Sequence, residues 1–118
     1  MKYIWLDEYC TAKQGATKEF KEDWNATRYL IGGKMFAMQG MDNTARSIIT
    51  LKLHPSEGDF LRRQYADIIP GYYMNKEHWN SVYLDGAVPD NVLRDMIDKS
   101  YNILFASLTK KAQNEIAG

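Results

Sequence analysis

Apolar residues recur over the first fourteen positions at helical spacing. Trp5, Tyr9 and Ala12 share one face with Leu6 and Cys10 beside it, so residues 2–14 are predicted to form a helix, and Gly15 follows as its natural end. From Ala16 the period shortens. Residues 17–24, 27–31, 34–38 and 46–54 are short runs with β-branched and aromatic content, separated by Asn25-Ala26, Gly32-Gly33 and residues 39–44. Four strands in succession imply an antiparallel meander, and Gly32-Gly33 is a two-residue hairpin signal because glycine reaches positive φ without a steric penalty. In the fourth run Ile49, Leu51 and Leu53 alternate with Thr50, Lys52 and His54, which predicts one buried and one wet face.

Pro55-Ser56 opens a second predicted helix to about residue 65, with Phe60, Leu61 and Tyr65 facing inward. In the stretch that follows, Pro70-Gly71 is a turn signal, and Asn75 caps a short helical turn through Lys76, Glu77, His78 and Trp79. Beyond Asn80, wet Ser81, Tyr83 and Asp85 alternate with buried Val82 and Leu84 as a last strand that Asp85-Gly86 ends. Pro89-Asp90 starts the final helix, with proline at its first position and Leu93, Ile97, Ser100, Tyr101, Leu104 and Leu108 on its inner face. Residues 110–118 read as a fraying polar end. The order helix, four strands, helix, strand, helix implies an α+β domain, an antiparallel β-sheet covered on one face by helices and partly exposed on the other.

Length and charge narrow the functional classes. The 118 residues, 45% of them hydrophobic and 13% aromatic, suit one folded domain. Fifteen basic residues balance fifteen acidic ones, so no global field draws the chain to nucleic acid or anionic membranes, and any such binding needs a local patch. Cys10 is the single cysteine, which excludes an internal disulfide. Ile4-Trp5-Leu6 is cut off by Asp7-Glu8, short of a signal peptide's apolar core, and no run approaches the roughly 18 apolar residues of a membrane span. A cytoplasmic location is the expectation.

Few side chains point to chemistry. Gly32-Gly33-Lys34 invites comparison with a phosphate loop, but Met35 stands where such loops carry Ser or Thr, and the first glycine of the longer motif is absent. Two histidines and one cysteine cannot assemble a closed zinc site, and neither Cys10 nor any serine sits in a nucleophile elbow. His78 beside Glu77 or Asp85 is the kind of pair that fifteen acids produce by chance. No metal, no cofactor and no enzymatic activity are therefore expected. The basic residues Arg28, Lys34, Lys52 and Lys76 are candidates for phosphate contact, with His78 as a polar contact and Trp79 as a stacking surface. The structural alternative keeps Trp79 in the core, Asn75 as a cap and the lysines solvated. Arg62-Arg63 reads as a solvated helix face, and Glu19, Glu22 and Asp23 oppose any field from Arg28.

Three segments carry a family resemblance: Ile31-Gly32-Gly33-Lys34-Met35-Phe36-Ala37; the run from Ile68-Ile69-Pro70-Gly71 through Tyr72-Tyr73-Met74-Asn75-Lys76-Glu77-His78-Trp79-Asn80 to Leu84-Asp85-Gly86; and Ser100-Tyr101. Together they resemble the MmcQ/YjbR family of small bacterial proteins from the first helix to about Leu108. The resemblance implies a CyaY-like α+β fold and a DNA-binding role in which strands act as a double wing, and it brings no catalytic residues. Tyr73 departs from it, since many members have His there. CyaY-like folds are similar to frataxin, whose iron binding needs an acidic first helix, and this helix offers only Asp7 and Glu8 among lysines. The leading expectation is a non-enzymatic protein contacting duplex DNA through Arg28, Lys34 and Lys52 on strand surfaces and through Lys76, His78 and Trp79 on the 76–79 turn. The alternative is a small-molecule or protein-partner binding module using the aromatic surface around Tyr72, Tyr73, Trp79 and Tyr83.

Overall fold

The computed structural model describes residues 2–71 and 74–118. Helix α1 (Leu6–Thr11) leads to strand β1 (Ala16–Lys21), a 3-10 turn (Glu22–Trp24), and strands β2 (Ala26–Ile31), β3 (Lys34–Met41) and β4 (Ser47–Lys52). Helix α2 (Pro55–Gln64), strands β5 (Ile68–Pro70) and β6 (Trp79–Tyr83), and helices α3 (Asp90–Ala106) and α4 (Lys110–Ala117) complete the chain. The strands form one antiparallel sheet in the order β1-β2-β3-β4-β6-β5. The fold class is the expected α+β one, with one strand and one helix beyond those the pattern predicts.

Ile49 and Leu51 of β4, Tyr29 and Ile31 of β2 and Val82 of β6 turn toward α1 and α3, where Leu6, Cys10, Leu93, Met96, Ile97 and Leu104 complete the core. Each large side chain buried there contributes about 1.5–3 kcal/mol. Leu61 of α2 and Ala112 and Ile116 of α4 pack against the same core, so among the described residues the helices lie on one face of the sheet and leave the other without a helix, although Ile48, Thr50 and Ser81 on that second face are buried. The 32–33 turn closes the β2–β3 hairpin as its glycines predict, with φ of +57° and +81°.

One irregularity sets the geometry of the open face. Tyr29 pairs with Ala37 but Leu30 pairs with Met35, so Phe36 is an extra residue in β3. Phe36 and Ala37 both enter the core. The buried Ser100 of α3 bridges the ladder there: its hydroxyl donates to the Phe36 carbonyl at 2.6 Å and accepts the Lys52 N–H at 2.9 Å.

Several boundaries differ from the expected ones. The first helix is shorter than 2–14, and Gly15, at φ +75°, sits in a turn beyond it. The first strand ends at Lys21, because the 3-10 turn and Asn25 at φ +48° reverse the chain. β3 runs on through Gln39 to Met41, since the turn that ends it is built later, by Asp42 Oδ1 accepting the N–H groups of Thr44 at 2.8 Å and Arg46 at 3.0 Å. β4 is shorter than 46–54, β6 begins at Trp79, and Pro89 caps α3 from outside its first turn. Residues 68–70, expected as the approach to a turn, form the edge strand β5, where proline's missing N–H is tolerated. The predicted fraying end is α4, whose N–H of Ala112 donates to the Thr109 hydroxyl at 3.1 Å. Phe60, expected inward, is 63% exposed, because Gly58, Leu61 and Tyr65 define the inner side of α2. Thr50 and Ser81, expected wet, are fully buried: they are paired across the interior strands β4 and β6, and their hydroxyls bond each other at 2.8 Å.

Candidate binding cleft on the open face of the sheet

Residues paired across adjacent strands share a face, which places Glu19, Arg28, Met38, Thr50, Ser81 and Ile69 in one row of the open face. Lys52 and Trp79 are paired in the neighbouring row, with the ammonium 6.0 Å from the ring centre. Arg28 and Lys52, expected on strand surfaces, therefore lie on one surface with Trp79, which was expected on a turn and instead opens β6. Lys34 does not join them. Its ammonium reaches the Ser107 carbonyl at 3.2 Å and hydroxyl at 3.1 Å, where the negative end of α3 favours a cation.

The other cations are engaged as well. Arg28 donates from Nε to Glu19 Oε1 at 2.7 Å, forms a second bond from Nη2 and lies 5.5 Å from the Trp24 ring centre. Lys76 donates to the Gly71 carbonyl at 3.1 Å. Asn75 holds its turn as expected, with Oδ1 accepting the N–H groups of Glu77 at 2.9 Å and His78 at 3.3 Å. His78 and Trp79 are half-buried, so Trp79 is neither a core plug nor a free stacking plate. Its backbone lies against Gly71, where a Cβ would come within 2.6 Å of Trp79 Cβ.

Between the Arg28 row and the 3-10 turn lies a cleft of about 680 Å³. Its hollow exists because two neighbouring positions of the next row carry almost no side chain: Ala26 of β2 and Gly40 of β3 lie side by side, and a Cβ on Gly40 would lie 3.3 Å from that of Ala26. Met35, Met38, Met41 and Met74 line the walls with Trp24 and Ile48. They are four of the six methionines in the chain. Asp23 and Arg28 are the charged residues at the cleft. Unbranched thioether side chains adapt to irregular apolar groups, and a cleft of this size falls within the range of small-molecule sites.

The sequence pattern singled out Arg28 but none of these methionines as a site. Strict alternation puts Met35 and Met38, three residues apart, on opposite faces; the extra Phe36 brings them to the same one. Of the expected aromatic surface, Tyr72 and Tyr73 lie outside the described residues, while Tyr83 shares the open face with Ile48. The Arg46 guanidinium sits 3.5 Å from the centre of the Tyr83 ring, and burial together with Asp42 pushes the Tyr83 phenol above its ordinary value.

Elsewhere the chemistry is quiet. Cys10 is fully buried, and burial pushes its thiol up to about 12, which keeps it from acting as a thiolate. Among the described residues no group of three or more His, Cys, Asp or Glu is arranged to hold a metal ion, and no helix is long and apolar enough to cross a membrane.

Comparison with known proteins agrees with the sheet and its motifs. The YjbR family model matches residues 11–103. The uncharacterized protein YjbR of Escherichia coli K12 is 39% identical over 97 residues, which cover 81% of this chain and 80% of that one. The uncharacterized protein YyaQ of Bacillus subtilis is 38% identical over 56 residues, or 48% of this chain and 47% of its own. The crystal structure of Deinococcus radiodurans protein DR2400, with family-model domain DUF419, superimposes with a TM-score of 0.85 at 28% identity, covering 95% of this chain and 85% of that one. The chain belongs to the YjbR family.

Proposed function

We propose that the chain is a non-enzymatic binding protein whose working surface is the open face of the sheet, and that the methionine-lined cleft takes an apolar or aromatic small molecule. The observation that carries this reading is the hollow itself, floored by Ala26 and Gly40 and walled by Met35, Met38, Met41 and Met74. It extends the aromatic-surface alternative from Trp79 and Tyr83 toward Trp24.

Duplex DNA is the second reading, favoured by the shared surface of Arg28, Lys52 and Trp79. Its cost is that DNA would have to displace Glu19 from Arg28, Ser107 from Lys34 and the Gly71 carbonyl from Lys76. A zero net charge offers no compensating field.

The test uses 8-anilinonaphthalene-1-sulfonate, whose fluorescence reports an apolar site. Saturable binding to the folded chain should weaken about tenfold or more in Met41→Glu, which sets a carboxylate against the dye's sulfonate at the rim, and in Gly40→Val, which fills the floor. Met41 is 45% exposed, so its replacement leaves the fold intact. Dye binding that ignores both substitutions counts against the cleft. A labelled random duplex titrated in parallel decides the second reading: if Arg28, Lys34, Lys52 and Lys76 each neutralise a phosphate, log affinity falls with log salt at a slope of about −3 to −4.

A further inference from the structure

Strand β1 ends the sheet, and among the described residues no strand lies beyond it. Such an edge offers unpaired N–H and C=O groups to another strand. Proteins usually guard edges with lysine, and β1 carries Lys18 and Lys21. It also carries Phe20, 59% exposed on the helix side but outside the cover of the helices, with Trp24 close behind at 56% exposed. An exposed aromatic one residue from the end of an open edge is the opposite of protection.

We propose that β1 pairs antiparallel with β1 of a second copy of this chain, with Phe20 opposite Phe20 on the two-fold axis. The axis must run perpendicular to the sheet, so opposed residues come from the same face of each copy. On the open face Glu19 then meets Lys21 of the second copy, and Lys21 meets its Glu19. Lys18 already pairs with Asp7 of its own chain. Lys21, which would repel a foreign strand, meets an acid in this one.

The other two-fold registers lack this match. Centring on residue 18 opposes two lysines, on residue 19 two glutamates, on residue 21 two lysines again, and on residue 17 two threonines with no acid opposite a base. A zero net charge removes the general repulsion between copies that would oppose association. The partner is thus read from charge complementarity of the strand with itself. The symmetry joins two sheets into one of twelve strands and puts both methionine clefts on the same side, yet the pairing stands whether or not the clefts bind anything.

Sedimentation of the intact chain over a wide concentration range tests association, and engineered cysteines test the register. A concentration-dependent dimer is expected. Phe20→Asp, which sets two carboxylates against each other at an exposed position, should raise its dissociation constant about tenfold or more without lowering the melting temperature. Phe20→Cys should lock the dimer by a disulfide under mild oxidation, while Thr17→Cys, which this register sets several residues away from its counterpart, should not. Cys10 is fully buried and does not compete. A chain that stays monomeric, a dimer insensitive to Phe20→Asp, or equal cross-linking at positions 17 and 20 overturns the proposal and leaves the edge to a different partner.

Discussion

Ser100 makes the bulged sheet and α3 one unit. The extra Phe36 leaves its carbonyl and the Lys52 N–H without a strand partner, and one hydroxyl satisfies both in a buried position. Removing that oxygen strands two polar backbone groups away from water, so Ser100→Ala should cost about 1–3 kcal/mol in urea unfolding, more than the loss of one ordinary hydrogen bond. A loss below about 0.5 kcal/mol would mean that the bridge does not hold the bulge. Asp7 acts through charge. It accepts from the Lys18 ammonium and, at 2.7 Å, from the buried Tyr29 hydroxyl, and these bonds hold its carboxyl below the ordinary value of 3.8. A carboxyl depressed by folding contributes stability above its unfolded value, and that contribution is lost as pH falls through the folded one. Unfolding followed from pH 6 down to pH 2 should therefore show a loss of stability below about pH 4, and Asp7→Asn should flatten part of it. An unchanged pH profile in Asp7→Asn would remove Asp7 from that account.

At the scale of elements, α4 shows how a short polar segment gains a fixed place. Thr109 caps its N-terminus, and Ala112 and Ile116, four residues apart, lay one face on the core. Thr109→Ala should cost about 1 kcal/mol and speed hydrogen exchange at Ala112 and Gln113 more than in β4; uniform change across the chain would speak against local fraying. The cap and the pair were present in the sequence, but the eight residues of α4, about two turns with Lys110, Lys111, Gln113, Asn114 and Glu115 among them, carry too few apolar positions for periodicity to register. The β2–β3 hairpin was legible because Gly32-Gly33 encodes its turn in the backbone itself. β5 was not, since three residues ending in proline acquire strand character only from β6, their single partner. The same limit governs the cleft. Arg28 and Lys52 could be put on strand surfaces from the sequence and Trp79 only on a turn, while Met35 and Met38 share that face only through a bulge that no local residue announces. Lys34 was legible as a basic residue at a hairpin edge, and its bond to the end of α3 depends on a contact 73 residues away.

For the whole molecule, the proposed function turns on the asymmetry of the sheet. One face is filled by four helices and the other keeps a hollow that its own small residues create. The methionines divide in the same way, with Met96 fully buried in the core and Met35, Met38, Met41 and Met74 around the cleft. That division makes an internal control. The most direct test of the open face as the working surface is a methyl spectrum of the chain labelled at its methionines, recorded while 8-anilinonaphthalene-1-sulfonate is added. The expected result is saturable movement of the Met35, Met38, Met41 and Met74 methyl signals with Met96 unmoved. Movement of Met96 alone, or no movement in the four cleft methyls at saturation of the dye signal, would contradict it.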